Sequence, residues 1–137
     1  MKLSLDLSLA KLMASRRLGD TARFMGSEEV QKPWGSYRIL GQWSNAITVK
    51  VLTVNPHSRL SLQKHEHRDE EWLCLRGRAK VQVDDKSFAI NVGDKAFVPR
   101  SRLHRLSSDI GAEILEVTYG MFDESDIVRI EDDYGRT

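Results

Sequence analysis

Along most of this chain, apolar residues come in short runs or alternate with polar ones, and turn-forming residues separate the runs. Ala46 to Val54 (AITVKVLTV) is rich in β-branched residues and stops at Asn55-Pro56. Glu71 to Leu75 and Ala79 to Val83 flank Gly77, and Asp84-Asp85 then turns the chain. Phe88 to Val92 leads into Gly93-Asp94, Lys95 to Val98 stops at Pro99, and Glu113 to Tyr119 stops at Gly120. Short β-rich runs punctuated by Gly, Pro and Asp at such intervals predict an all-β sandwich or barrel over residues 28–122. No amphipathic segment of helix length interrupts them, and there is no internal repeat.

The two ends read differently. Leu3, Leu5, Leu7 and Leu9 alternate with Ser4, Asp6 and Ser8 as a strand would. Leu5, Leu9, Leu12 and Met13 also fit one helical face, which Gly19 could stop. Residues 1–27 are therefore set apart as an N-terminal extension: a strand traded with a partner subunit, a short helix outside the barrel, or a linker. Residues 123–137 (DESDIVRIEDDYGRT) are acidic and then basic, and their composition predicts a solvated tail or a short last helix.

Composition narrows the partners more than the fold. A chain of 137 residues is one domain's worth. Lys plus Arg number 21 against 20 Asp plus Glu, so a net charge of +1 gives no reason to expect nucleic acid or an acidic membrane. The single cysteine, Cys74, permits no intrachain disulfide and suits a reducing cytoplasm. No apolar run approaches the roughly 18 residues that span a bilayer, and Asp6 and Lys11 interrupt any signal-peptide core. The expected location is the cytoplasm.

The chemistry concentrates in Ser61-Leu-Gln-Lys-His-Glu-His-Arg-Asp-Glu-Glu-Trp72. Residues two apart in a strand share a face, so Gln63, His65 and His67 point the same way. Two imidazoles and an amide oxygen make half of a metal site, and Glu70 or Glu71 could add a carboxylate. His104 follows the Gly93…Pro99 turn region, where an antiparallel barrel can return it to the first cluster. Mixed imidazole and carboxylate ligation suits Zn, Mn, Fe, Co or Ni rather than Ca or Mg. A His-x-His pair on a surface strand is often plain polar surface; here the histidines lie beside turn punctuation in a β-rich chain. His57, after Asn55-Pro56, reads as a loop residue.

These residues resemble the two motifs of the cupin superfamily. The second motif runs Gly, five residues, Pro-x-Gly, two residues, His, three residues, Asn. It is similar to Gly93, Pro99, Ser101 in place of Gly, His104, and Ser108 in place of Asn. The first motif can be placed so that Gly77 and Glu70 keep its spacing. Gln63 and His65 then fill its His-x-His positions, and His57 stands where its first Gly is expected. In the other register, with His65 and His67 as the pair, only two residues precede Glu70, which is too short. The resemblance thus implies Gln63, His65, Glu70 and His104 as ligands of one divalent metal, Zn first, with Mn, Co, Ni or Fe as the other ions. It also implies a single antiparallel β-barrel of the jelly-roll type over residues 28–137.

The likeness is narrower still. Lys32-Pro33-Trp34-Gly35-Ser36-Tyr37, the Ser61–Trp72 run, Val98-Pro99 through His104-Arg105-Leu106, and Asp126-Ile127-Val128-Arg129 through Tyr134-Gly135-Arg136 resemble four motifs of one family. That family is the isomerase domain of type II mannose-6-phosphate isomerase/mannose-1-phosphate guanylyltransferase, and the four motifs occur in its order over about residues 30–136. It implies conversion of mannose 6-phosphate to fructose 6-phosphate through an enediol, and a tail that returns to the barrel. It does not carry guanylyl transfer here, because no Gly-rich nucleotide loop precedes the motifs. Lys50, mid-strand between Val49 and Val51, and His67 are the candidate bases. Arg76, Arg105, Arg129, Tyr134 and Arg136 are candidates for holding the sugar phosphate, with Arg68 a further motif cation. Arg76 is expected on the face of Glu70, Trp72 and Cys74. Leu73 and Leu75 on the opposite face, with the leucines at 3, 5, 7 and 9, predict a homodimer. A sugar-binding cupin without turnover, or an iron or nickel dioxygenase, would share the fold.

Overall fold

The computed structural model describes residues 22–23 (backbone only), 28–44, 46–121, 123 and 125–137. The described residues form twelve strands and no helix. In chain order these are β1 (Ala22–Arg23), β2 (Glu29–Lys32), β3 (Gly35–Trp43), β4 (Ile47–Val54), β5 (Ser58–Arg59), β6 (Leu62–Lys64), β7 (Arg68–Val83), β8 (Lys86–Asn91), β9 (Lys95–Val98), β10 (His104–Ser108), β11 (Ala112–Gly120) and β12 (Val128–Glu131). All pairings are antiparallel. The main path runs β1-β3-β4-β11-β7-β10-β6-β12, with β2 on β3, β5 on β10, and β8 and β9 on β7.

The β-branched run predicted around residues 46–54 becomes β4, whose residues alternate between half-buried and buried. Its inward set, Thr48, Lys50, Leu52 and Val54, faces Trp72 and Cys74 of β7 and Ala112 and Ile114 of β11 in one core. The expectation of an all-β chain without helices holds along the described residues.

Gly77 does not separate two strands as its flanks suggested. β7 is one strand of 16 residues. Its first half pairs with β9 and β11, and its second with β8 and β10, so the strand bends from one side of the curled sheet to the other. The bend sits at a bulge. Glu113 pairs with Arg76 and Ile114 with Cys74, which leaves Leu75 as the extra residue. Gly77 has φ +73°, and a Cβ there would overlap the Gly111 carbonyl oxygen, so only glycine lets β11 approach this closely. The extra residue also switches the buried positions from Trp72 and Cys74 to Ala79 and Val81.

The described tail is largely exposed, as its composition predicts, but it is a docked strand rather than a helix or a loose end. β12 pairs with β6 through Val128↔Lys64, Arg129↔Gln63 and Glu131↔Leu62. Two cations clamp it from the barrel. Buried Arg105 donates to the Leu60 carbonyl (3.0 Å) and to the Glu131 carbonyl (3.1 Å). Arg59 donates to both Asp133 oxygens and to Glu131. At the other end of the chain, the leucines at 3, 5, 7 and 9 lie outside the described residues. Within the stretch set apart as an extension, β1 is joined to the sheet edge by Ala22↔Trp43 and Arg23↔Gln42.

Candidate metal centre

Three strands converge on one buried cluster. Glu70 lies in β7 opposite Val98 of β9 and Thr118 of β11. His104 opens β10 and pairs with Gln63 of β6. His65 follows β6 directly. His65, Glu70 and His104 are each 2% exposed. Their ligand atoms lie within 4.8 Å of one another. His65 Nε2 is 3.2 Å from Glu70 Oε1, and His104 Nε2 is 3.6 Å from Glu70 Oε2. Metal–ligand bonds of about 2.0–2.1 Å give ligand–ligand edges of about 3.0–3.4 Å, so the spacing suits a divalent ion between them.

The hydrogen bonds around the rings give the same answer. His65 Nδ1 lies 2.7 Å from the Asp126 carbonyl oxygen, and His104 Nδ1 2.9 Å from that of Arg102. A carbonyl only accepts, so each Nδ1 carries the proton and each Nε2 turns a lone pair toward the cluster. Buried Glu70 Oε2 and His104 Nε2 have no hydrogen-bond partner. Such orphaned acceptors are costly unless something positive satisfies them. Burial pushes the His104 imidazole toward its neutral, ligating form. Burial works to raise the Glu70 carboxyl, but the polar groups packed against it, the Arg68 guanidinium among them, outweigh burial and hold it below the usual carboxylate range. The donor set therefore fits a divalent metal.

Gln63 lies beside this triad: its amide nitrogen is 3.3 Å from His65 Nε2, and its oxygen accepts from Ser61 Oγ at 2.6 Å. A half-turn of the amide exchanges its nitrogen and oxygen and presents the oxygen to the cluster. His67 is exposed, and its backbone N–H donates to Asp126; its ring does not line the cavity. Residues 66 and 67 form a turn rather than continuing β6, so the period-2 reading that put His67 on the face of His65 fails there.

The cavity over the cluster is lined by Lys50, Arg68, Arg129 and Arg136, among others. Lys50 is buried, its Nζ 4.0 Å from Glu116 Oε1 and 4.6 Å from the Tyr37 ring centre. Arg129 reaches in from β12, its Nε buried. Arg136 is held by a two-point bond to Asp132, at 3.1 and 2.7 Å. Three expected phosphate cations or partners are elsewhere. The bulge turns Arg76 outward, where it pairs with Glu113 on the surface, so it does not share the face of Glu70. Arg105 is committed to the tail clamp. Tyr134 is exposed beneath the Arg136 guanidinium.

Sequence reasoning missed Glu116. It is buried, lines the cavity, and accepts the Trp72 indole N–H at 3.0 Å. Burial, and then the charge of Glu70, push its carboxyl up. The signal was present: in Ala112, Ile114, Glu116, Thr118 the carboxylate occupies an inward slot of an alternating strand. Lys32, Trp34 and Tyr37 of the Lys-Pro-Trp-Gly-Ser-Tyr motif line the same cavity.

Comparison with known proteins shows the family and the fold. The family model described as mannose-6-phosphate isomerase, C-terminal, matches residues 20–132, so the match begins some ten residues before the motifs. The alginate biosynthesis protein AlgA of Pseudomonas aeruginosa is 44% identical over 112 residues, covering 80% of this chain and 23% of that protein. The xanthan biosynthesis protein XanB of Xanthomonas campestris is 38% identical over 80% of this chain and 24% of its own length. A mannose-1-phosphate guanylyltransferase of Klebsiella pneumoniae is 36% identical over 79% of this chain and 23% of its own. The chain thus spans about a quarter of these relatives. Among solved structures, an RmlC-like cupin from Shewanella frigidimarina superposes with TM-score 0.64 at 19% identity, over 73% of this chain and 88% of that one. KdgF from Halomonas superposes with TM-score 0.65 at 12% identity, over 74% and 96%. The fold is that of a single cupin barrel. Among the described residues no helix is long and apolar enough to cross a membrane.

Proposed function

The chain belongs to the mannose-6-phosphate isomerase C-terminal family, and from that premise we propose that its cavity interconverts mannose 6-phosphate and fructose 6-phosphate. One observation carries the reading: His65 and Glu70 of the buried triad line the same cavity as Arg129 of β12 and Arg136 of the tail. A sugar phosphate needs both, one for its C1–C2 oxygens and one for its phosphate.

His65, Glu70 and His104, with Gln63 completing the set, would hold the ion; Zn fits the donors, and Mn, Co, Ni and Fe share them. When bound, a divalent ion supplies Lewis-acid stabilisation of negative charge on the sugar oxygens. The rest falls to the protein. Arg129, Arg136 and Lys32 bind the phosphate and fix the sugar's direction. The Lys50–Glu116 pair moves the proton: a base takes it from C2 of the open-chain aldose, the C2–H electrons form the C1–C2 double bond as the C1 carbonyl oxygen takes the negative charge, a proton passes from the C2 hydroxyl to that oxygen, and the carbon-bound proton returns at C1 as the C2 carbonyl forms. Trp72 orients Glu116 through its indole N–H. Conversion of mannose 6-phosphate by protein loaded with each of the five ions tests this. Turnover that a chelator removes and the ion restores is expected. Binding of the sugar phosphate without turnover under every ion would leave a sugar-binding cupin instead.

We also propose a homodimer through the outward face of β4, β11 and β7. Val51, Leu115 and Leu73 are consecutive neighbours across those strands and point away from the core. Light scattering should give twice the chain mass; a monomer at high protein concentration overturns this.

A further inference from the structure

Beyond its strand pairing, the segment around β12 touches the metal centre in a specific way. The Asp126 carbonyl accepts from His65 Nδ1 at 2.7 Å. The Asp126 carboxylate accepts from the N–H groups of Glu66 and His67, both at 3.1 Å, and so pins the turn that follows His65. Three residues earlier, the Asp123 carbonyl accepts from Arg68 at 2.9 Å. The same guanidinium donates to Glu70 Oε1 at 3.3 Å. Two of the three triad members are thus oriented by this segment. The third is not: His104 takes its orientation from Arg102, two residues before it in the chain.

We propose that residues 125–132, together with the Asp123 carbonyl, act as a strap whose docking completes the metal centre, with Asp126 as its positioning residue. One residue does two jobs here. Its side chain fixes the 65–67 turn, and its carbonyl fixes the tautomer and the plane of the His65 ring, turning the Nε2 lone pair toward Glu70 and the cluster. Undocking the strap would release the ring and remove one support of the Arg68 that braces Glu70. Metal binding and strap docking are therefore linked, and linkage is reciprocal: the docked strap raises metal affinity, and the metal holds the strap down. The strap also carries Ile127 and Arg129 into the cavity, so the element that completes the centre is the one that lines the substrate's path. This rests on the metal centre proposed above but not on turnover.

The test uses the full chain and Zn(II) alone, with Co(II) as a spectroscopic substitute. Asp126→Ala keeps the backbone carbonyl but loses the carboxylate that pins the turn after His65 and docks the strap there, and should weaken Zn(II) binding by about 10–100-fold, the usual cost of losing a group that supports a ligand. Asp126→Asn, which keeps one side-chain acceptor for the 66–67 N–H groups, should lie between. The Co(II) absorption of Asp126→Ala should differ from wild type. Zn(II) should slow amide hydrogen exchange of residues 125–132 in wild type. A purely structural clamp would lower the melting temperatures of the metal-free and loaded protein equally, whereas strap coupling shrinks the rise that Zn(II) produces. Should the alanine variant fail to fold, the asparagine variant and the wild-type exchange experiment decide. Zn(II) affinity within twofold of wild type in both variants, or exchange of 125–132 that Zn(II) leaves unchanged, overturns the proposal. Either result is independent of whether mannose 6-phosphate is turned over.

Discussion

His65→Ala and His104→Ala are each expected to abolish stoichiometric metal binding, and His67→Ala to leave it within about twofold of wild type. Each ligating ring is buried with its Nδ1 proton already committed to a carbonyl, so the Nε2 lone pair is what it presents to the cluster; that of His104 has no partner, and that of His65 lies 3.3 Å from Arg68 Nη2 and from the Gln63 amide. Removing one ring leaves a single imidazole, Glu70 and the Gln63 amide, too few strong donors to hold an ion against water. The fold should survive in His65→Ala, because Arg68 still pairs with Glu70. His104 packs edge-on to Trp72, with ring centres 5.7 Å apart, and its alanine leaves a cavity there. His104→Asn, which fills more of that space, is the companion variant. His67 offers the contrast, since its ring is exposed and only its backbone N–H is engaged. Metal analysis of purified, folded variants reads the result. Full metal in His65→Ala or His104→Ala would place the site elsewhere and remove the chemical basis of the isomerase reading.

The part of this centre that was legible from sequence was the part encoded by local spacing. Gln63, His65, Glu70 and His104 keep the intervals of the two motifs, and those intervals are turn lengths between paired strands. Even the departures obey the backbone. His57 and Ser101 stand where the motifs have glycine, and both have positive φ, at 56° and 65°. Ser101 gains something from its position: its N–H donates to the His65 carbonyl at 2.6 Å, and its hydroxyl donates to Glu66, also at 2.6 Å. The turn before one ligand is thereby tied to the chain at the other, for a backbone cost of order 1 kcal/mol.

What spacing could not carry was anything decided by pairing between distant strands. Arg76 was placed on the inner face by counting in twos, but the bulge inserted at Leu75 reverses the count, and a bulge needs a partner strand to exist. His67 failed for a similar reason, because the chain leaves β6 at Lys64. Composition shows that the tail is exposed, because its charges outnumber its apolar residues, but not that it is tied to the barrel. In the structure those charges are spent on Arg59, Arg105 and Arg136, cations that the sequence alone does not bring to Glu131, Asp133 and Asp132. Glu116 was passed over because a single carboxylate in a β-branched run looks like an outward-facing charge.

Glu116→Gln should lower kcat for mannose 6-phosphate by about 10²–10⁴-fold, the usual contribution of a positioned acid or base, while metal content and KM stay near wild type. The amide oxygen still accepts the Trp72 indole N–H, so the strand and the core keep their packing and the loss isolates the proton-carrying function. A second signature is the exchange of the C2 proton with deuterated solvent, which should fall with kcat. The pH profile gives a third. A base works only when deprotonated, so the carboxyl raised by burial and by the charge of Glu70 moves the acid limb of the rate profile upward. Lys50 opposes that shift through its positive charge, 4.0 Å away. Lys50→Met should therefore raise the Glu116 carboxyl further and carry the acid limb to still higher pH, whereas a Lys50 that served as the base itself would take that limb away with it. Wild-type kcat in Glu116→Gln would remove this carboxylate from the chemistry and leave Lys50 to carry the proton alone.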